Sequence, residues 1–181
     1  PTAARPDKTD LDLWRAVRLK DGGWSAPEHL GEAVNSAGPE LGPELHGGTL
    51  TFSAVRKGGQ GGLDIYAARE GKAGFGAPVP IEGPFNGPAS ESDFTLSADG
   101  RIAAFWRMVG DKGVLHIARK GADGWSEPVP LGDAHNPGPF NFTPAFAPDG
   151  RSLTFASTRE RAGQEKGLAD IYVAKLPAIP N

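Results

Sequence analysis

The sequence predicts an all-β fold built from repeated antiparallel sheets, and three observations support this prediction. The 181 residues include 26 glycines and 17 prolines, the two residue types least compatible with the interior of a helix. The apolar runs are short, rich in β-branched and aromatic residues, and bounded by Gly, Pro, Asn and Asp, which is typical of strands joined by turns. The same arrangement recurs along the chain with a period of about 50 residues, which indicates a repeat architecture.

One landmark of the repeat is an aromatic residue followed by two small or polar residues and a proline. It occurs at Trp24 to Pro27, Phe75 to Pro78 and Trp125 to Pro128, at offsets of 51 and 50 residues. An asparagine follows at the same offsets and opens a stretch rich in Gly and Pro: Asn35, Asn86 and Asn136. These constant spacings fix the register of the repeat.

Within each unit the candidate strands follow in a fixed order. A short apolar run comes first, at Leu50 to Phe52, Ile102 to Phe105 and Leu153 to Phe155. The next run is Asp12 to Ala16, Asp64 to Ala68, Val114 to Ala118 or Asp170 to Ala174. Asp-Gly pairs at 99–100 and 149–150 supply the positive φ that tight hairpins require. Each repeat is therefore a four-stranded antiparallel meander of about 50 residues, which predicts a β-propeller or a segment of one.

The landmarks divide the chain into four segments of a single propeller region. Residues 1–34 hold the end of a partial blade, 35–85 and 86–135 hold full repeats, and 136–181 hold a repeat that lacks its last strand. The total of about three and a half blades is below the four or more of a closed propeller. We therefore expect further blades or a second chain to complete the ring, and two copies would supply about seven blades.

One segment also fits a helix. Leu11 to Lys20 contains good helix formers and can be drawn with an apolar face. Its alignment with Asp64-Ile-Tyr66 and Asp170-Ile-Tyr172 favours a strand, because repeats of one architecture share their structure.

The last repeat resembles a known family. Its pattern Phe146-Ala-Pro-Asp-Gly-Arg-Ser-Leu-Thr-Phe-Ala-Ser-Thr-Arg159, followed by Asp170-Ile-Tyr-Val-Ala174, is similar to the WD40-like PD40 repeat of TolB-type β-propellers and related bacterial envelope proteins. The middle repeat departs from this pattern at Ala98, at Val114-Leu-His116 and at Arg107, which sits two residues earlier than Arg56 and Arg159. The resemblance implies a periplasmic or extracellular interaction module, whose signal peptide is absent from this chain and presumed removed.

Composition excludes several classes of function. The chain has no cysteine, so disulfides, thiolate nucleophiles and zinc–thiolate sites are ruled out. With 19 basic and 22 acidic side chains the net charge is −3, which gives no indication of a nucleic-acid partner. No apolar run approaches the roughly 18 to 20 residues of a membrane span, so we expect no membrane insertion.

The sequence offers no recognised catalytic or metal motif. The nucleophile elbow, the phosphate-binding loop and the zinc-protease motif are all missing. The four histidines, at positions 29, 46, 116 and 135, do not have the spacing of metal ligands. We expect His116 to pack between sheets. The stretch Asp7 to Asp12 lacks the full pattern of a calcium loop and favours solvated carboxylates. We predict no catalytic residue, no metal and no cofactor.

The candidate contact face consists of the loops before the innermost strands, at residues 35–44, 86–93 and 136–141. Its acidic side chains would precede the innermost strands and lie toward the central mouth. Trp106 and Phe140 do not recur in kind, which marks them as candidates for a binding surface. The predicted binding residues are Asn35, Glu40, Glu44, Asn86, Glu91, Asp93, Trp106, Asn136, Phe140 and Asn141.

Several of these residues also allow other interpretations. Paired carboxylates among Glu40, Glu44, Glu91 and Asp93 could perform glycoside hydrolysis if two of them faced each other across a cleft, at about 5 to 10 Å. Asn141 begins a glycosylation sequon. The recurring Arg5, Arg56 and Arg159, with Asp12, Asp64 and Asp170, favour structural pairing at strand ends over an anion site. One aromatic residue per blade, at Trp24, Phe75 and Trp125, favours packing between blades over stacking on sugars.

The predicted function is therefore a non-catalytic propeller that binds or scaffolds a protein, peptide or glycan of the bacterial cell envelope. A rigid ring that presents variable loops at one mouth suits binding without chemistry. The alternative is a carbohydrate-active or peptidase-associated propeller that uses the acidic residues at its mouth.

Overall fold

The computed structural model describes residues 10–163, 165 and 167–177, together with the backbone of residues 2–3. These residues form sixteen strands in four antiparallel sheets and no helix, which confirms the all-β prediction. Sheet I contains β1 (Thr2–Ala3), β2 (Asp12–Arg15) and β3 (Glu28–His29). Sheet II contains β4 (Glu40–His46), β5 (Thr49–Ala54), β6 (Asp64–Gly71), β7 (Gly74–Phe75) and β8 (Val79–Pro80). Sheet III contains β9 (Glu91–Leu96), β10 (Ile102–Val109), β11 (Lys112–Gly121), β12 (Gly124–Trp125) and β13 (Val129–Pro130). Sheet IV contains β14 (Asn141–Phe146), β15 (Ser152–Ser157) and β16 (Asp170–Lys175).

Sheets II and III are meanders whose outer strand is divided into two short pieces. In sheet II both β7 and β8 pair with β6, and in sheet III both β12 and β13 pair with β11. Pro78 and Pro128 lie in the gaps between the pieces. Because proline has no backbone N–H to donate to the neighbouring strand, the outer strand loses its pairing there.

The innermost strand of sheets II, III and IV carries a β-bulge at the same place. In sheet II the pairing of β4 with β5 shifts between Leu41 and Glu44, and matching shifts interrupt β9 and β14. Each bulge contains a residue with positive φ: Gly42 at 55°, Asp93 at 56° and Thr143 at 47°. This conformation is unfavourable for Asp and for β-branched Thr, so contacts around the bulge must hold it.

The structure corrects one expectation about the acidic residues. Glu40, Glu44, Glu91 and Asp93 do not precede the innermost strands but lie within β4 and β9. The strands begin earlier than the apolar runs suggest, because their first residues bury polar side chains.

The core lies between successive sheets as three apolar clusters. Leu13 and Val34 pack with Phe52 and Tyr66 between sheets I and II. The next two clusters repeat this arrangement, with Ile65, Phe85, Phe94 and Phe105 between sheets II and III, and Leu115, Ile117, Leu153 and Phe155 between sheets III and IV. The sheets therefore stack face to face in chain order, each covering one face of the next.

Two local predictions are also settled. Asp12–Arg15 is a strand, which confirms the strand interpretation over the helix. His116 is buried and stacks on its cross-strand neighbour Phe105 within sheet III, with ring centroids 5.7 Å apart, and Phe105 belongs to the apolar cluster between sheets II and III. Arg5 and residues 7–9 of the candidate calcium loop lie outside the described residues.

The two end sheets each present an apolar face that no other described sheet covers. On β16, Ile171 is 73% exposed and Val173 is 69% exposed, whereas Ile65 and Leu115 at the corresponding place in β6 and β11 are buried. Beside sheet I, Trp24 is 62% exposed, although its counterparts Phe75 and Trp125 pack against the core clusters. The described part of the chain is therefore an open stack.

No helix that could cross a membrane occurs among the described residues.

Candidate functional site

The three recurring asparagines form backbone clamps. Asn35 accepts a hydrogen bond from the N–H of Leu13 at 2.7 Å and donates one to the carbonyl of Leu13 at 3.1 Å. Asn86 makes the same pair with Ile65 at 2.8 and 2.9 Å, and Asn136 with Leu115 at 2.7 and 3.2 Å. In each case the clamped carbonyl also accepts a backbone hydrogen bond, from Leu30, Ile81 or Leu131, so the N–H is the group that depends on the asparagine. The three side chains are thus committed to the backbone rather than presented to a ligand.

Two of the predicted acidic residues form buried ion pairs within their own sheets. Glu40 Oε1 lies 3.0 Å from Arg56 Nη2, and Glu91 Oε1 lies 2.8 Å from Arg107 Nε. Both carboxylates are fully buried and accept further hydrogen bonds from the preceding loop, Glu40 from Ser36 and Glu91 from the N–H of Gly87. Both oxygens of Glu91 are thus engaged, whereas Glu40 is held through Oε1 and its buried Oε2 has no hydrogen-bond partner among the described residues.

The two arginines reach the same place from different register positions. Arg107 is the direct cross-strand partner of Glu91, whereas Ala54 is the partner of Glu40 and Arg56 comes two residues later. Both guanidinium groups also donate to a carbonyl in the loop before the innermost strand, Arg56 to Val34 and Arg107 to Phe85 at 3.0 Å. The recurrence of this double contact indicates a structural brace between a strand and the loop.

Sheet IV replaces the ion pair with a neutral network. Asn141 accepts a hydrogen bond from Ser157 Oγ at 2.7 Å and donates to the carbonyls of Gly113 at 3.0 Å and Gly138 at 2.8 Å. Because Asn141 is buried and its amide nitrogen is engaged, its sequon is not accessible to glycosylation in the folded chain. Arg159 instead lies over the ring of Tyr172, 4.3 Å from its centroid.

Asp93 links the innermost strands of sheets III and IV. Its Oδ2 accepts hydrogen bonds from the indole N–H of Trp106 at 3.0 Å and from the backbone N–H of Thr143 at 2.9 Å. The Cα of Gly42 comes so close that an added Cβ would lie 2.4 Å from Asp93 Oδ1. Gly42 and Thr143 thus both contact Asp93, and a glycine is needed at 42 because the space beside Asp93 excludes a side chain.

Glu44, Trp106 and Phe140 complete the predicted set, and all three make contacts between sheets. Glu44 Oε1 accepts a hydrogen bond from the N–H of Leu96 in sheet III at 3.0 Å. Trp106 is almost fully buried and packs edge-on against Phe140 at 5.2 Å. The Phe140 ring covers Gly113 so closely that a Cβ there would lie 2.9 Å from it.

Most of the predicted binding residues therefore make contacts within or between the sheets that stabilise the fold. Glu40 and Glu91 are not a pair of carboxylates facing each other across a cleft, because each is buried in its own sheet against its own arginine. Burial raises the pKa of the Glu91 carboxyl, while the Gly87 N–H and Arg107 oppose this shift. In the loops that enter the innermost strands, the exposed residues are Ala37, Pro88 and Pro139.

The histidines do not converge on a metal site. His29 lies in β3, His46 ends β4, His116 lies in β11, and His135 lies in the turn after β13. Burial lowers the pKa of His116 and of His135. In the part of the chain that the structure describes, no three His, Asp or Glu side chains are grouped as metal ligands would be.

Sequence reasoning missed a second feature, a groove on the flank between sheets II and III. Its cavity measures about 620 Å³, compared with about 230 Å³ for the groove between sheets I and II. The available signal was a break in the repeat: Lys120 stands where sheet II has Glu70, and Ala67 stands where sheet I has Arg15.

Comparison with known proteins supports the fold and does not establish a family. No protein-family model matches the chain, and no curated protein sequence matches it significantly. The structure of TolB from Acinetobacter baumannii is similar over 91% of this chain, with a TM-score of 0.55 and 14% sequence identity. A chain from a structural and mechanistic analysis of two prolyl endopeptidases matches 76% of this chain with 19% identity, but its TM-score of 0.43 is too low to equate the folds. This chain spans 35% of the length of TolB and 20% of that second chain. The chain therefore has a propeller-like all-β fold.

Proposed function

We propose that this chain is an arc of a β-propeller that binds or scaffolds a partner in the bacterial cell envelope without catalysing a reaction. Its segments are the partial blade 1–34, the repeats 35–85 and 86–135, and the incomplete repeat 136–181. The partner is a protein, peptide or glycan, and the location is periplasmic or extracellular. The similarity in fold to TolB and the PD40-like pattern of the last repeat support this assignment.

The non-catalytic assignment rests on the burial and the hydrogen-bond partners of the candidate acidic residues. General acid–base chemistry requires a carboxyl group that can reach a substrate proton. Glu40 and Glu91 are fully buried and held by Arg56 and Arg107, and Asp93 is occupied by Trp106 and Thr143. The acids that favour the carbohydrate-active alternative in the sequence therefore have structural partners.

We place the contact face on the loops that enter the innermost strands, because they lie at one end of all three complete or nearly complete repeats. Ala37, Pro88 and Pro139 are the exposed positions of these loops. The turns at the other end of the same strands, which contain Ala98 and Pro148, provide a matched control surface.

The test compares binding and turnover on the same panels of envelope-derived glycans and peptides. We expect saturable binding without any product detectable by mass spectrometry. The triple change Ala37→Arg, Pro88→Arg and Pro139→Arg should weaken binding at least tenfold, and the control change Ala98→Arg and Pro148→Arg should leave it unaltered. Turnover that disappears in a Glu40→Gln, Glu91→Gln variant would overturn the proposal, and so would equal binding by the two arginine variants.

We also propose that further sheets of the same kind cover the two open end faces. Inside the chain, Ile65 and Leu115 are buried by the following sheet. Ile171 and Val173 on β16 are exposed, and we expect a following sheet to bury them in the same way. We expect a preceding sheet to cover Trp24, because Phe75 and Trp125, its counterparts in sheets II and III, pack into inter-sheet clusters. A second copy of the chain or additional blades would supply the covering sheets.

A further inference from the structure

We propose that the groove between sheets II and III, called here the II–III groove, binds an acidic oligosaccharide whose sugar rings carry carboxylates. Its walls are the face of sheet II that bears Thr49, Ala67 and Arg69 and the face of sheet III that bears Leu96, Lys120 and Trp125. This surface lies on the flank of the stack, between the sheets. The inference does not depend on the contact face proposed above and would stand if that face bound nothing.

The first step is that this groove is wider than its counterpart between sheets I and II, which an ion pair bridges. Between sheets I and II, Arg15 crosses the gap and its guanidinium lies 2.8 Å from the Glu70 carboxylate. The same guanidinium also contacts Glu28 at 3.2 Å, and the cavity that remains has a volume of about 230 Å³. An ion pair therefore bridges sheets I and II beside the smaller groove.

Both members of that bridge are replaced at the II–III groove. The sequence Asp12-Leu-Trp-Arg15 in β2 corresponds to Asp64-Ile-Tyr-Ala67 in β6, so a methyl group stands in place of the guanidinium. Glu70 pairs with Phe75 as Lys120 pairs with Trp125, so an ammonium group stands in place of the carboxylate. The groove thereby widens to about 620 Å³, within the range of about 300 to 1,000 Å³ that is usual for small-ligand sites.

The second step concerns the charges that line the opened groove. Arg69 and Lys120 line it, and neither side chain has a salt bridge among the described residues. His46 and a single acid, Glu82, also line it. Two unneutralised cations in one groove favour an anionic ligand, and the guanidinium fork matches the geometry of a carboxylate.

The third step concerns the surface between these charges. The Trp125 ring lies beside Lys120, whose Nζ is 5.6 Å from the ring centroid, and is only partly buried. Phe94, Leu96 and Ile81 extend the apolar wall. A sugar ring has an apolar face for such a wall and hydroxyls for Thr49 and Glu82, and a uronic acid adds the carboxylate for Arg69 and Lys120. This combination favours an acidic sugar over a simple anion.

The experiment titrates the full 181-residue chain with trigalacturonate and with its methyl ester, which has the same shape without the charges. We expect trigalacturonate to bind saturably and at least tenfold more tightly than the ester, and the Trp125 indole N–H resonance to shift. An acidic tripeptide tests the competing ligand class and is expected to bind at least tenfold more weakly. Equal binding of acid and ester, tighter binding of the peptide, or no binding at millimolar concentration would overturn the proposal.

The decisive variant introduces into the II–III groove the two residue types that form the Arg15–Glu70 ion pair between sheets I and II. The double change Ala67→Arg and Lys120→Glu should close the II–III groove and reduce affinity at least tenfold, whereas the matched change Lys112→Ala at an exposed position outside the groove should not alter it. Unchanged affinity in a folded bridge variant contradicts the site. If the bridge variant does not fold, the single change Lys120→Glu and the position of the shifted resonances in the parent chain decide the same question. The contact-face triple variant should bind trigalacturonate normally, which separates this proposal from the one above.

Discussion

At the scale of single residues, the recurring polar side chains act on the backbone of their own sheet. Asn86 accepts a hydrogen bond from the N–H of Ile65 and shares the Ile65 carbonyl with the backbone N–H of Ile81. A buried backbone group without a partner costs as much as a lost hydrogen bond, so one side chain at this position replaces part of a strand. The repetition of the clamp at Asn35 and Asn136 follows from the repetition of the split strand.

The clamp gives a stability prediction. Asn86→Ala removes the hydrogen-bond acceptor of the Ile65 N–H, while the Ile65 carbonyl keeps the N–H of Ile81, and should lower the free energy of unfolding by about 1–3 kcal/mol. Urea denaturation followed by circular dichroism measures the change. Asp133→Ala, at an exposed position, should stay within about 0.5 kcal/mol of the parent. A loss for Asn86→Ala no larger than that of the control would show that the clamp is dispensable.

His116 gives a prediction of pH dependence. Burial lowers the pKa of His116 below its ordinary value of 6.5 in the folded chain, so the unfolded chain binds the proton more readily. Stability is therefore complete above the unfolded pKa and falls as the pH drops below it, by at most about 1.4 kcal/mol per pH unit for one proton. His116→Tyr, which introduces the residue found at positions 66 and 172, should flatten this fall. Urea midpoints at pH 5, 6 and 7 measure it, and an unaltered slope in the variant would contradict the assignment.

At the scale of elements, the innermost strands of sheets II and III are each held by one brace and one bulge. The brace joins the start of the strand to the second strand and to the preceding loop, through Glu91 and Arg107 in sheet III. The bulge aims Asp93 at sheet IV, where it accepts a hydrogen bond from the N–H of Thr143. These two devices fix the position of each sheet relative to its loop and to its neighbour.

The brace in sheet III gives a prediction for a double-mutant cycle. Glu91→Ala leaves a partly buried guanidinium unpaired and Arg107→Ala leaves a buried carboxylate unpaired, so each should lower the free energy of unfolding by about 3–5 kcal/mol. The double variant should lose less than the sum of the two single losses, because no unpaired charge remains. Chemical denaturation of the four proteins gives the coupling directly. Simple additivity would mean that the ion pair contributes no mutual stabilisation.

At the scale of the whole molecule, the open stack explains the distribution of exposed apolar side chains. Ile171 and Val173 belong to a strand position that is buried wherever another sheet follows. Full burial of one such side chain stabilises by about 1.5–3 kcal/mol, so an uncovered face favours association. The proposal that further sheets cover these faces rests on this repetition.

The end faces give a prediction about mass in solution. The chain should self-associate with increasing concentration, and the double change Ile171→Lys and Val173→Lys should leave a monomer with an unaltered unfolding midpoint. Sedimentation velocity between about 1 and 100 µM measures the distribution. A particle of 18.9 kDa at all concentrations in the parent chain, with cooperative unfolding, would contradict the proposal.

The sequence by itself determined the strands, the turns and their repetition. Asp-Gly turns and short apolar runs bounded by Gly, Pro, Asn and Asp are local features, and local chemistry selects them without knowledge of the neighbouring sheet. The strand at Asp12–Arg15 could be inferred only from the repeat, because its own residues also fit a helix.

Only the tertiary structure decided what the recurring polar residues do. Whether Glu40 faces solvent or Arg56 depends on a bulge and on a loop that folds back onto the strand, and neither has a sequence signature of its own. The bridging of sheets I and II by Arg15 and Glu70, and the wider groove at Ala67 and Lys120, likewise depend on which side chains of successive sheets meet. Contacts between residues so distant in the sequence are set by the stacking of sheets, which the repeat period alone does not specify.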